Sequence, residues 1–188
     1  MRVFVATDID DNTRAAVGEL QRRLAAEANL GKGDVKWVRP EAMHLTLKFL
    51  GEVQQRRLPV VCEAVERAVQ AHTSFELDIE SVGCFGGRNA RVLWVGTGNG
   101  SDRLEALQRD VEQQLAAAGW PEENRKFTGH LTLCRVRSKK AAVELARLAE
   151  AYKEFRAGQI EVAEVSVYES QLTPKGPIYT RLSRYSLE

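Results

Sequence analysis

Two short segments of identical sequence contain the side chains best suited to chemistry. His44-Leu45-Thr46-Leu47 recurs later in the chain as His130-Leu131-Thr132-Leu133, and the two segments hold two of the three histidines. Both lie in runs typical of β-strands, in which successive side chains point to opposite faces. We therefore expect each segment to place its histidine and threonine on one face and to anchor its two leucines in a core.

If the two strands lie close together, the paired imidazoles and hydroxyls predict acid–base chemistry on a phosphodiester. An imidazole titrates near neutral pH, so one can carry a proton while the other lacks it. A general acid and a general base each contribute about 10²- to 10⁴-fold in rate. Threonine hydroxyls can hold phosphoryl oxygens through hydrogen bonds. One histidine would activate water while the other protonated the departing ribose oxygen, and this chemistry requires no metal.

Two other interpretations of the motifs are weaker. A single copy would be a strand with one ordinary half-buried histidine, but packing does not require the same polar pair twice. A zinc site needs more ligands than two histidines, and neither Cys-x-x-Cys nor His-Glu-x-x-His spacing is present. Strict alternation places Cys134 on the His130 face, which leaves zinc open as an alternative. We expect no metal and no cofactor.

The composition indicates a globular protein without a strongly charged surface. The 188 residues are 44% hydrophobic and 28% charged, and a net charge of +1 excludes a uniformly basic coat while allowing a local basic patch. No apolar run approaches the ~18 residues of a membrane helix, and the opening segment lacks the apolar core of a signal peptide. The three cysteines are widely spaced, as is usual for reduced thiols. We expect a cytoplasmic protein without membrane association.

The elements that position the motifs follow from the hydrophobic periodicity. Strands are predicted at 2–7, 35–38, 44–50, 75–80, 91–96, 130–136, 160–168 and 178–186. Helices are predicted at 11–29 and along apolar stripes from Leu58 to Val69, Leu104 to Leu115 and Ala141 to Tyr152. Paired strands between helices favour an α+β fold with largely antiparallel pairing and helices on the outer faces of the sheets.

Longer segments around the motifs resemble a known family. They are Arg2–Asp8, Trp37–Glu52, Arg91–Gly96, Arg125–Arg135 and Ser170–Tyr179, in that order along the chain. Together they resemble the 2H phosphoesterase superfamily, and more closely the bacterial and archaeal RNA 2′,3′-cyclic phosphodiesterases, also called 2′-5′ RNA ligases. One departure is Gly129, which stands where the family commonly has proline and which gives the chain more freedom before His130.

The resemblance implies a single bilobal domain spanning residues 1–188, with two antiparallel sheets related by a pseudo-twofold axis and a catalytic cleft between the lobes. It implies hydrolysis of 2′,3′-cyclic phosphates to 2′-phosphomonoesters, with reversible, ATP-independent 2′-5′ ligation. Its partners would be RNA ends, including tRNA halves, or small nucleotides, and we expect a monomer. His44 would be the proton donor and His130 the proton acceptor, while Thr46, Thr132 and Arg135 would bind the phosphate.

Several residues near the motifs are candidate nucleotide or RNA contacts: Trp37, Lys126, Phe127 and Tyr179. Strict alternation places Arg135 on the leucine face of its strand, so a bulge would be needed to turn it toward His130. The same alternation favours a core position for Phe49. Two alternatives to a cyclic phosphodiesterase remain: a non-catalytic RNA- or nucleotide-binding module on the same fold, and a 2H phosphodiesterase for a different small substrate.

Overall fold

Two antiparallel sheets form the framework of the protein. The computed structural model describes residues 1–174 and 176–188, without the side chain of residue 88. Its strands are β1 (Arg2–Thr7), β2 (Val35–Trp37), β3 (Leu45–Glu52), β4 (Phe75–Phe85), β5 (Val92–Thr97), β6 (His130–Val136), β7 (Arg156–Val162), β8 (Glu164–Thr173) and β9 (Gly176–Ser186). The four-stranded sheet has the order β3-β1-β8-β9, and the five-stranded sheet has the order β2-β6-β5-β4-β7.

In the described residues four α-helices cover the sheets: α1 (Asp11–Glu27), α2 (Leu58–Val69), α3 (Ser101–Ala117) and α4 (Lys139–Ala151). Helix α2 packs against β8 and β9, and α4 packs against β4 and β5. Helix α1 contacts β7, while α3 packs on α2 and reaches β3 and β4. The side chain of Asp10 accepts a hydrogen bond from the Thr13 amide at 2.7 Å and so begins α1. The predicted α+β fold with antiparallel pairing is confirmed.

The predicted strand at 160–168 is wrong in one respect, because it is two strands. β7 ends at Val162 and pairs with β4 in the five-stranded sheet, whereas β8 begins at Glu164 and pairs with β1 in the four-stranded sheet. The chain thus crosses between sheets at Ala163. The apolar residues continue across this point, so the periodicity of the sequence contains no sign of the crossing.

Strand β4 is also longer than predicted. It continues from Phe75 to Phe85, past the expected end at Glu80. Ser81 has a φ of 66° and lies at a shift in the register between β4 and β5. The Ser81 amide donates to the Phe155 carbonyl at 2.7 Å. A bulge therefore bends the strand without ending it.

The core is continuous across both sheets. The leucines of both motifs, Leu45, Leu47, Leu131 and Leu133, are at most 4% exposed and belong to this core. The prediction that leucines anchor the motif strands is confirmed. The final hairpin pairs β8 with β9, and Lys175 between the two strands lies outside the described residues.

Candidate active site

Both motifs open onto one cavity of about 1090 Å³. Every residue that the sequence proposed for the site lines it: His44, Thr46, His130, Thr132, Arg135, Trp37, Lys126, Phe127 and Tyr179. The two histidines and two threonines are each half-buried. The fold therefore brings together around one cavity all the side chains that the resemblance and the motifs proposed for the site.

A bulge in β3 decides what surrounds the first motif. Val5 of β1 is opposite Lys48 and the next residue is opposite Thr46, so Leu47 has no partner across the pair. As a result Leu47 and Lys48 are both buried, and Phe49 turns to the cavity side, where it is 66% exposed. The expectation of a core position for Phe49 is wrong, because the bulge shifts the alternation by one residue.

A matching bulge in β6 shapes the second motif. Leu93 of β5 is opposite Cys134 and the next residue is opposite Thr132, so Leu133 is unopposed. Arg135 is thereby turned to the cavity side and is exposed, as the sequence argument required. Cys134 is fully buried in the core. Its expected position on the His130 face is wrong, for the same reason as for Phe49.

His44 lies against aromatic rings in the four-stranded sheet. Its ring stacks on Phe4 with centroids 4.6 Å apart, and the edge of Tyr179 meets it at 5.2 Å. Loss of solvation lowers the pKa of His44 to about 4, although a hydrogen bond to the Ala42 backbone and the charge of Asp8 act in the opposite direction. Free His44 is therefore neutral near pH 7.

His130 has a defined ring orientation. Its Nδ1 donates to the Thr128 carbonyl at 2.7 Å, which leaves Nε2 of the neutral ring as a proton acceptor. Phe85 contacts the ring edge-on at 4.9 Å, and Trp94 lies 6.3 Å away. Loss of solvation lowers the pKa of His130, and the nearby charge of Arg135 lowers it further. The ring is therefore neutral near pH 7 in the free protein, and its Nε2 can accept a proton.

The remaining predicted contact residues differ in their exposure to solvent. Lys126 is exposed at the cavity edge. Trp37 and Phe127 line the cavity but are half-buried and pack partly against the core. Tyr179 packs edge-on against Phe4 as well as His44, at 5.0 Å. Of these residues Lys126 is the most accessible, while Tyr179 supports the His44 ring.

Sequence reasoning missed three aromatic residues that surround the histidines: Phe4, Phe85 and Trp94. Phe4 lies in a short apolar strand that periodicity assigns wholly to the core, and Phe85 lies in a glycine-rich segment beyond the predicted end of the strand at 75–80. Only Trp94 carried a local signal, because it alternates with buried Leu93 and Val95 along β5. Cross-strand pairing with Thr132 places it beside the second motif.

Two glycines of the five-stranded sheet leave room for the ring of Trp94 to lie against the backbone. A Cβ at Gly83 would lie 2.3 Å from the Trp94 ring, and one at Gly96 would lie 2.9 Å from it. We expect Gly83→Ala to push Trp94 toward His130 and to cost about 1–3 kcal/mol in the free energy of unfolding, as overpacking does. Chemical denaturation followed by tryptophan fluorescence measures this loss.

A smaller side chain at position 94 provides the control for Gly83→Ala. Trp94→Leu should remove the clash, so the double variant should be more stable than the sum of the two single effects predicts. Equal stability of Gly83→Ala and the wild type would contradict the packing argument.

Residues 1–174 and 176–188 contain no group of three or more His, Cys, Asp or Glu side chains arranged to hold a metal ion. Of the helices formed by these residues, none has the length and apolar character needed to cross a bilayer.

Comparison with known proteins gives consistent matches over nearly the whole chain. The sequence model of the 2'-5' RNA ligase superfamily matches residues 9–173. A protein of Methanothermobacter thermautotrophicus named RNA 2',3'-cyclic phosphodiesterase is 34% identical over 188 residues, which cover 100% of this chain and 99% of that protein. A protein of the same name from Archaeoglobus fulgidus is 35% identical, covering 97% of this chain and 98% of its own.

Solved structures show the same fold. A crystal structure of a Thermus thermophilus protein, TT0787, matches with a TM-score of 0.76 and 30% identity over 100% of this chain and 98% of its own. Escherichia coli LigT, crystallised with 3'-AMP, matches with a TM-score of 0.77 and 26% identity over 99% of this chain and 97% of its own. The family suggested by the two motifs is thus confirmed, and the chain belongs to the 2'-5' RNA ligase superfamily.

Proposed function

We propose that this protein hydrolyses RNA or nucleotide 2′,3′-cyclic phosphates to 2′-phosphomonoesters, with His44 and His130 as acid and base. The relatives from Methanothermobacter and Archaeoglobus carry the name of this activity and match at full length. The observation that carries the proposal is the presence of both His-x-Thr pairs on one cavity. A site for binding alone would need a fixed positive charge, whereas two neutral imidazoles suit proton transfer.

In the proposed reaction a water oxygen attacks the phosphorus and the bond from phosphorus to the 3′ oxygen breaks. His130 accepts the proton of the water through Nε2, the nitrogen that the Thr128 contact leaves unprotonated. His44 donates a proton to the departing 3′ oxygen. Thr46 and Thr132 hold the non-bridging oxygens, and Arg135 balances the negative charge that develops there. The product retains its phosphate on the 2′ oxygen.

His44 must gain a proton before it can act as the acid. Burial keeps the pKa of free His44 at about 4, but a phosphate anion bound beside it favours the charged imidazolium and raises the pKa. Substrate binding therefore supplies the protonation that the mechanism needs. In the unliganded protein, His44 binds a proton more readily in the unfolded chain than in the folded one, so the free energy of unfolding falls as pH drops from about 6.5 toward 4.

This coupling gives a pH prediction. The histidine NMR resonances should show His44 titrating well below pH 6.5 in the free protein, and at a higher pH once a nucleoside 2′-phosphate is bound. His72 lies outside the cavity lining, and its resonance serves as the internal reference. An unchanged His44 titration in the presence of bound ligand would contradict the proposed role as an acid charged by the substrate.

Ligation would use the same groups with a different nucleophile. A 5′ hydroxyl in the place of water would form a 2′-5′ linkage, so the reverse reaction could join RNA halves such as those of tRNA. Water at ~55 M opposes this unless the halves are held in register. We therefore propose hydrolysis as the main reaction, on RNA ends or on small nucleotides.

We further infer that residues 1–188 act as one bilobal domain and as a monomer in the cytoplasm. One hydrophobic core joins the two sheets, and the matching bulges in β3 and β6 support a pseudo-twofold relation between the lobes. All the proposed catalytic side chains come from this single chain.

The test is turnover of a nucleoside 2′,3′-cyclic phosphate in the presence of EDTA, with ³¹P NMR to distinguish 2′- from 3′-phosphate products. Exclusive formation of the 2′-phosphate is expected. Absence of turnover, together with shifted histidine resonances on adding 2′-AMP, would instead identify a binding module or an enzyme for another substrate.

A further inference from the structure

Two cations face the cavity from the outer edge of the five-stranded sheet. Lys36 of β2 lies directly opposite Arg135 of β6 in the antiparallel register. Both side chains are exposed, and both line the cavity. Directly opposed residues share a face of the sheet, with Cβ atoms about 5 Å apart. The two positive charges are therefore close neighbours on the wall of the active site.

This arrangement costs stability unless an anion is present. Like charges directly opposite each other in a sheet repel. Within the described part of the chain, neither Lys36 nor Arg135 forms a salt bridge. Of the three carboxylates in the cavity lining, Glu112 pairs with Lys48 and Glu123 with Arg125, while Glu122 forms no salt bridge with either cation. A bound anion between the two cations would remove the repulsion.

Of the two cations, Lys36 lies beyond the reach of a single phosphate held by the motif. Arg135 is three residues from Thr132 along β6, about 10 Å of strand, and the bulge at Leu133 turns it to the cavity side. Lys36 lies one strand further out, about 5 Å to the side. The guanidinium of Arg135 can serve a phosphate at the motif or one beyond it, whereas Lys36 is suited only to the more distant position.

The chemistry of the substrate determines which phosphate this would be. A 2′,3′-cyclic phosphate is the last phosphate of an RNA strand, so its neighbour is the phosphate on the 5′ side of the same nucleoside. We propose that Lys36 and Arg135 form a second phosphate subsite for this 5′ phosphate. The inference rests on the proposed function and deepens it, because such a subsite makes an oligoribonucleotide, and not a nucleoside cyclic phosphate, the preferred substrate.

The test compares two dinucleotides that end in a 2′,3′-cyclic phosphate and share the same bases. One has a normal phosphodiester linkage, and the other has an uncharged methylphosphonate in its place. The wild-type protein should show a kcat/KM about tenfold higher for the charged linkage, the size typical of one charge-assisted hydrogen bond. Lys36→Gln should bring this ratio close to one and make kcat/KM for the charged substrate less sensitive to salt.

Lys139→Gln provides the matched control, because Lys139 is an exposed cation of α4 outside the cavity lining. It should leave the ratio at the wild-type value. A wild-type ratio in Lys36→Gln, or an equal loss in Lys139→Gln, would overturn the subsite. If neither dinucleotide were turned over, the proposed function would be wrong. Calorimetry would then measure the dissociation constants of the corresponding 2′-phosphorylated dinucleotides. Their ratio alone would show whether the second phosphate subsite exists.

Discussion

Replacing His130 with alanine should lower kcat on a nucleoside 2′,3′-cyclic phosphate by about 10³-fold, and His44→Ala should lower it by a similar factor. The first change removes the Nε2 acceptor that the Thr128 contact presents. The second removes the only imidazole placed to protonate the leaving oxygen in the proposed mechanism. Single-turnover kinetics, with the enzyme in saturating excess over the substrate, measures the chemical step in each variant.

The two effects should not add. Acid and base act in one transition state, so the double variant should be about as slow as the slower single variant. His72→Ala is the control, because His72 pairs with Asp110 at 2.7 Å outside the cavity lining. Turnover at the wild-type rate in either single variant, with the fold intact by circular dichroism, would refute paired acid–base catalysis.

Replacing Lys48 with methionine should reduce the free energy of unfolding by about 3–5 kcal/mol, the loss typical when one partner of a buried ion pair is removed. Lys48 pairs with Glu112, and the side chains are only 6% and 12% exposed. Lys48 also donates to the Pro121 carbonyl at 2.6 Å, while Glu112 accepts from the Glu123 amide at 2.8 Å. Methionine would leave the Glu112 carboxylate buried without its cation. Urea denaturation measures the change.

Two further variants distinguish the loss of a buried ion pair from a general sensitivity of stability to lysine substitution. Lys48→Met combined with Glu112→Leu should recover most of the lost stability, because an apolar pair can replace a buried ion pair at little cost. Lys153→Met breaks an exposed pair with Glu150, with side chains 57% and 74% exposed, and should change stability by less than about 1 kcal/mol. A double variant as unstable as Lys48→Met alone would disprove the explanation.

The Lys48 pair also connects the two motifs. Lys48 directly follows the first motif and is buried because of the bulge at Leu47. Through Pro121 and Glu112 it fixes the start of the loop that leads to Phe127 and the second motif. The equivalent position after the second motif is Cys134, buried in the core. The bulge is repeated in the two sheets, but the side chain that it buries is a paired lysine in one and a core cysteine in the other.

The sequence by itself determined the parts of the site that depend on local geometry. Alternation along a strand requires only the chain's own backbone, so the repeated motif was enough to place His44 and Thr46 together, and likewise His130 and Thr132. The same local rule correctly assigned the four motif leucines to the core. The fold class followed from strand and helix periodicities, which are also local properties.

Only the tertiary structure decided what depends on pairing between distant strands. A bulge exists only relative to a partner strand, so the positions of Phe49, Cys134 and Arg135 could not be read from their own segments. The aromatic neighbours of the histidines come from strands far away in sequence. The lowered pKa values of both histidines result from the desolvation that this packing imposes. The residue types and their local spacing thus determined which chemistry is available, and the packing of the two sheets decided the neighbours and protonation of the groups that perform it.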